Sequence, residues 1–94
     1  MSAAVDDSGI SRVVEVLARA LADRPDEVRV VEVPQKGGTL VELHAAPDDV
    51  GKMIGRLGRT VAALRTLAAT AGERAGKTVT LEVRDAPRRS GAGD

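Results

Sequence analysis

Gly55 and Gly58 stand three residues apart in the run Val50-Gly51-Lys52-Met53-Ile54-Gly55-Arg56-Leu57-Gly58-Arg59-Thr60-Val61, with Lys52, Arg56 and Arg59 close around them. Two glycines at this spacing let a backbone turn tightly and leave no side chain to block a close ligand. A helix that starts just after Gly58 presents its first free N–H groups there, and such groups attract anions. The cationic side chains add charge at the same point. The chemistry that follows is non-covalent recognition of a phosphate group, beside an aliphatic surface built by Met53, Ile54 and Val61. The run is not a phosphate-binding P-loop, because no Gly-Lys-Ser/Thr follows at the required distance. Nor is it the dinucleotide fingerprint, since its glycines miss that spacing and no strand precedes them.

The charge map favours the same place. The 94-residue chain carries 14 basic and 14 acidic residues, for a formal net charge of zero. Between Gly51 and Gly72 lie Lys52, Arg56, Arg59 and Arg65 with no Asp or Glu. A basic site on an otherwise acidic body suits one specific anionic partner rather than indiscriminate adsorption to polyanions. There is no cysteine, so disulfide and thiol chemistry are excluded. One histidine without cysteine makes a metal site a poor expectation, and neither a metal nor another cofactor is expected. No acid–base pair or nucleophile motif presents itself, so the chain is not expected to be an enzyme. No apolar run reaches the ~20 residues of a membrane span, and the acidic start resembles no targeting peptide. A cytoplasmic protein is expected.

The elements that must position the loop are legible from periodicity. Ile10, Val13, Val14, Leu17 and Leu21 recur at steps of three and four, which predicts a helix with those residues on its buried face, capped by Asp7 or Ser8. Asp23-Arg24-Pro25-Asp26 ends it. Val28 to Val33 reads as a strand whose alternation slips, which a bulge or burial on parts of both faces would explain. Pro34 to Gly38 is turn material, and Thr39 to Ala45 is a second strand with Val41, Leu43 and Ala45 on one face. Pro47, Asp48 and Asp49 open a short helix that reaches about Ile54. A longer helix runs from about Arg59 to Ala75, with Val61, Leu64, Ala68, Ala71 and Ala75 inward. Lys77 to Arg84 is the cleanest strand, with Val79, Leu81 and Val83 facing in. Residues 1–8 are expected to form a flexible arm, 9–84 one domain, and 85–94 a disordered tail. The fold class is α+β in the order α-β-β-α-α-β. Its three-stranded mixed sheet pairs the first two strands antiparallel and the last parallel to the second, with helices on one face.

This order, with Ile54-Gly55-Arg56-Leu57-Gly58 between two helices, resembles the KH domain in its type II topology. From about Ile10 to Val83 the chain is similar to the small bacterial single-KH proteins called KhpA-like. The phrase Ala46-Pro47-Asp48-Asp49-Val50-Gly51-Lys52-Met53-Ile54-Gly55, Arg59-Thr60 and Ala63-Leu64-Arg65-Thr66-Leu67 carry that resemblance. It implies binding of single-stranded RNA, with the loop clamping about four nucleotides of backbone. Gly55 and Gly58 would allow close approach, Arg56 and Arg59 would meet phosphates with Lys52 adding charge nearby, and Ile54 with Val61 would line an aliphatic groove. Leu57 departs from the family, which usually places a polar residue there, so one phosphate hydrogen bond is missing. The resemblance further implies an RNA chaperone or post-transcriptional regulator, linked to cell-wall growth and cell shape. Implied partners are a second copy and a Jag (KhpB-like) KH protein.

The rival from another class is a protein-interaction module that uses the same fold without touching RNA. His44 is expected on the strand face away from the core, as a solvent-side residue rather than a catalytic one. Asp48 and Asp49, adjacent on a helix, do not face one another and are expected to serve the helix start.

Overall fold

The computed structural model describes residues 9–86. A helix, α1 (Gly9–Leu21), leads through a 3₁₀ turn at Pro25–Glu27 into strands β1 (Arg29–Gln35) and β2 (Gly38–Ala45). Helix α2 (Pro47–Ile54), a tight turn over Arg56–Gly58 and helix α3 (Arg59–Arg74) then cross to strand β3 (Val79–Asp85). The sheet order is β1-β2-β3, with β1 antiparallel and β3 parallel to β2. The α+β order and sheet pattern therefore follow the sequence expectation. The expected N-terminal arm, the candidate cap at Asp7 or Ser8 and the expected tail from residue 87 lie outside the described residues. Asp85, assigned to the tail from sequence, is instead the last residue of β3, and the Ala86 N–H donates to the Ala45 carbonyl at 2.7 Å.

One face of the sheet is covered by the helices. Val28, Val41, Leu43, Ala45, Val79 and Leu81 meet Ile10, Val14, Ala18, Met53, Val61, Leu64 and Ala68 in a single aliphatic cluster. With no aromatic side chain available, close backbone approach has to replace bulk. Gly72 shows how: a Cβ there would come within 2.9 Å of the Lys77 carbonyl and would press on the Val79 side chain. The inner face of α3 thus runs Val61, Leu64, Ala68, Gly72, and Ala75 is exposed.

Two further expectations change. The buried face of α1 is Ile10, Val14 and Ala18, while Val13 and Leu21 are exposed. The small Ala18 is fully buried on that face. The slipped alternation of β1 needs no bulge, because its ladder pairs every residue one-to-one from Arg29↔His44 to Gln35↔Gly38. Val28 precedes the strand and is buried, Val30 packs on the core, and Val31 lies on the open face.

The open face carries an ionic cluster. Glu42 and Glu82 oppose each other across β2 and β3, an unfavourable pairing of like charges. Arg84 answers both, bonding Glu82 and lying 3.6 Å from Glu42, and these carboxylates raise its pKa, with the Glu82 hydrogen bond the largest cause. His44 lies on this face as expected, its Nε2 3.1 Å from Glu42.

Candidate nucleic-acid interface

Helix α2 ends because the chain at Gly55 turns to φ 79°, ψ 169°. That conformation is disfavoured for side-chain-bearing residues, and a Cβ on Gly55 would collide with the Thr60 side chain and approach the Thr60 nitrogen to 2.9 Å. The loop is therefore folded back tightly on the first turn of α3. Leu57 (φ 56°, ψ 24°) and Gly58 (φ 73°, ψ 15°) then both take left-handed backbone. The Gly58 N–H closes the turn on the Gly55 carbonyl at 3.0 Å.

Gly58 is the N-cap of α3, and no side chain caps that helix. Glycine has no side-chain oxygen to offer; the Arg59 N–H is taken by the Arg56 carbonyl, and the N–H groups that follow it at the start of this 16-residue helix have no side-chain acceptor. Arg56 and Arg59 flank this end. Both are exposed, and among the described residues neither has an ion-pair or side-chain hydrogen-bond partner. The positive end of the helix dipole and two uncommitted arginines thus lie within a few residues of one another, an arrangement suited to an anion.

A hollow of about 550 Å³ is lined by Val50, Arg65, Glu82, Val83, Arg84 and Asp85. It lies between the paired helices α2 and α3 and the free edge of β3. The Thr39 N–H bonds the Thr78 carbonyl and the Ala86 N–H the Ala45 carbonyl. In a parallel ladder this directs the backbone groups of even-numbered β3 residues toward β2. The odd-numbered residues Val79, Leu81, Val83 and Asp85 turn theirs to the open edge. Arg65 Nε donates to the Leu81 carbonyl at 3.2 Å, which pins that side chain along the wall.

The sequence candidates separate in this frame. Gly55, Arg56, Leu57, Gly58 and Arg59 form the loop and the start of α3. Ile54 is 41% exposed beside them, whereas Val61 is 8% exposed and belongs to the core. Lys52 is committed elsewhere. Its Nζ lies 2.7 Å from Asp23 and 3.6 Å from Asp49, which raises its pKa, chiefly through the Asp23 hydrogen bond.

Asp49 is the residue that sequence reasoning missed. Its carboxylate is 1% exposed and accepts from the backbone N–H groups of Asp23 and Arg24 at 3.1 and 3.0 Å. Rather than serving its own helix start, it ties the turn after α1 to α2, the helix that delivers the loop. Those two backbone bonds, the Asp23 N–H first, hold its pKa below the ordinary carboxylate value against the opposing effect of burial. Arg65 and Val83 of the hollow were legible only as a basic residue and a core strand residue. The edge they share depends on the parallel pairing.

Comparison with known proteins agrees with this geometry. Residues 11–83 match the KH domain of the KhpA/KhpB family. The RNA-binding protein KhpA of Mycobacterium tuberculosis is 51% identical over 74 residues, covering 79% of this chain and 86% of that protein. The RNA-binding protein KhpA of Aquifex aeolicus is 40% identical over 76 residues, covering 81% and 96%. Among solved structures, Era in complex with MgGDPNP and nucleotides 1506–1542 of 16S ribosomal RNA superposes with a TM-score of 0.62 at 19% identity. That match covers 81% of this chain but only 29% of Era, and at such identity it speaks for the fold alone. Among the described residues no helix is long and apolar enough to cross a membrane. With matching element order, sheet pairing and sequence, the chain belongs to the KhpA/KhpB KH-domain family, a type II KH fold in a family of RNA-binding proteins and not of enzymes.

Proposed function

We propose that this chain binds single-stranded RNA, gripping the sugar-phosphate backbone at Gly55–Gly58. The observation that carries this function is the uncapped start of α3 flanked by Arg56 and Arg59, which have no partner among the described residues. Family membership and the names of the relatives support an RNA ligand over the rival protein-interaction module. Ile54 and Leu57 supply apolar surface at the loop, and the hollow along β3 offers backbone donors and acceptors to bases. Lys52 contributes only background charge, because its ammonium group is held by Asp23.

A grip of this kind uses few phosphate contacts. Fluorescence anisotropy with a 12-nucleotide single-stranded RNA should give a slope of log K against log salt of roughly −1 to −3. A slope steeper than about −6 would indicate diffuse polyanion binding and count against a defined site. One small surface binds weakly, and a second copy or a KhpB-like KH protein would raise the effective affinity. The physiological role in keeping with such a binder is that of a cytoplasmic RNA chaperone or post-transcriptional regulator. A link to cell-wall growth and cell shape rests on family resemblance.

A further inference from the structure

Leu57 is the least expected residue in the loop. It is 86% exposed, the most exposed large apolar residue among those described. It is also the one non-glycine residue with positive φ among the described residues, at 56°. Leucine disfavours that backbone region because its Cβ crowds the following carbonyl. A polar residue or glycine would satisfy both solvent and backbone better. The fold accepts two local costs here and obtains no packing in return, since Leu57 is absent from the core and its partly buried surround.

Its neighbours indicate what it meets. Arg56 precedes it, Arg59 lies two residues on, and Ile54 is half-exposed on the preceding turn. A polyanion gripped by the two arginines and the start of α3 passes within reach of the Leu57 isobutyl group. The chain has no Phe, Tyr or Trp, so an unstacked nucleobase finds no aromatic platform and must be met by aliphatic groups. In an A-form duplex the base faces are stacked inside, and only phosphates, riboses and shallow groove edges are presented.

Building on RNA binding at this loop, we propose that Leu57 packs against the face of an unstacked base next to the gripped phosphates, and so makes the loop select single strands over duplex. The arginines supply affinity common to both forms. Leu57 adds an apolar increment that only an unpaired base can satisfy, and salt does not screen it.

The test compares the wild type with Leu57→Gly, which suits a positive φ, and Leu57→Met, which keeps an apolar side chain. Anisotropy is read with three fluorescein-labelled probes: a 12-nucleotide single-stranded RNA without self-complementarity, its blunt duplex, and a 12-unit ribose-phosphate strand lacking bases. Leu57→Gly should weaken single-strand binding about 5-fold to 20-fold and change the duplex and base-free probes by less than about 2-fold. Leu57→Met should stay near the wild type, and the salt slope should be the same for all three proteins. Thermal melting checks that Leu57→Gly is folded, with Tm equal to or above the wild type. Unchanged single-strand affinity in Leu57→Gly overturns the proposal; should sedimentation then show lost self-association, the side chain belongs to a protein contact. Equal weakening on all three probes also overturns it, because the side chain would then only shape the loop. Arg56→Glu/Arg59→Glu serves as the control for the parent function. If that protein keeps its single-strand affinity, RNA binding at the loop fails, independently of Leu57.

Discussion

Asp49→Ala should lower the Tm at neutral pH by roughly 10–20 °C, measured by calorimetry or far-UV circular dichroism. The substitution leaves the Asp23 and Arg24 N–H groups without their acceptor and removes one carboxylate from Lys52. The pH dependence gives the sharper signature. Because the folded-state pKa of Asp49 is depressed, its stabilisation is fully present above the unfolded carboxylate value of about 3.9 and is lost as pH falls through the lower, folded value. The gap in Tm between wild type and Asp49→Ala should therefore be constant from pH 7 to about pH 5 and close on further acidification. Asp49→Asn retains one carbonyl acceptor and should fall between the two. A gap that stays open at pH 2 would mean that the loss reflects packing rather than the charged cap. Since Asp49 secures the helix leading into the loop, partial loss of RNA affinity should accompany the loss of stability.

The second large effect concerns the ligand. Arg56→Glu/Arg59→Glu should reduce affinity for single-stranded RNA by more than about 100-fold, because four units of charge change at the point where phosphates are expected. Both side chains are exposed and neither has a partner among the described residues, so Tm should move by no more than a few degrees. Lys52→Gln provides the contrast: its ammonium already answers Asp23 and Asp49, so its removal should reduce stability more than RNA affinity. The opposite ranking, with Lys52 dominant for RNA, would show that the ion pair opens on binding.

The architecture was legible because its periodicities are strong. The alternation through Val79, Leu81 and Val83 and the Pro47 start of α2 placed their elements within a residue or two. Val28 to Val33 stayed open locally, because a slip in parity looks the same whether it comes from a bulge or from valines placed on both faces of a regular strand. Ala18 was passed over as a core residue in favour of larger neighbours, although close packing in an aliphatic core favours small side chains. At the site, the glycine spacing and the acid-free window pointed to the loop where the structure has left-handed backbone and a helix start without a side-chain cap. Counting charges could not reveal that Lys52 is neutralised by Asp23, which lies 29 positions away in the chain. Nor could it show that Asp49, two residues into a helix, serves the amides of a different turn. Pairings of that kind are fixed by tertiary contact and leave no local mark.

The central claim is that RNA docks at the start of α3. The most direct test is a titration of uniformly ¹⁵N-labelled protein with a short single-stranded RNA, followed by amide chemical shifts. The account predicts the largest changes at Gly55 to Val61, with a second set along Arg65, Val83 and Asp85. Changes confined to the open sheet face around Val31, Glu42 and His44, with the loop amides unmoved, would contradict it.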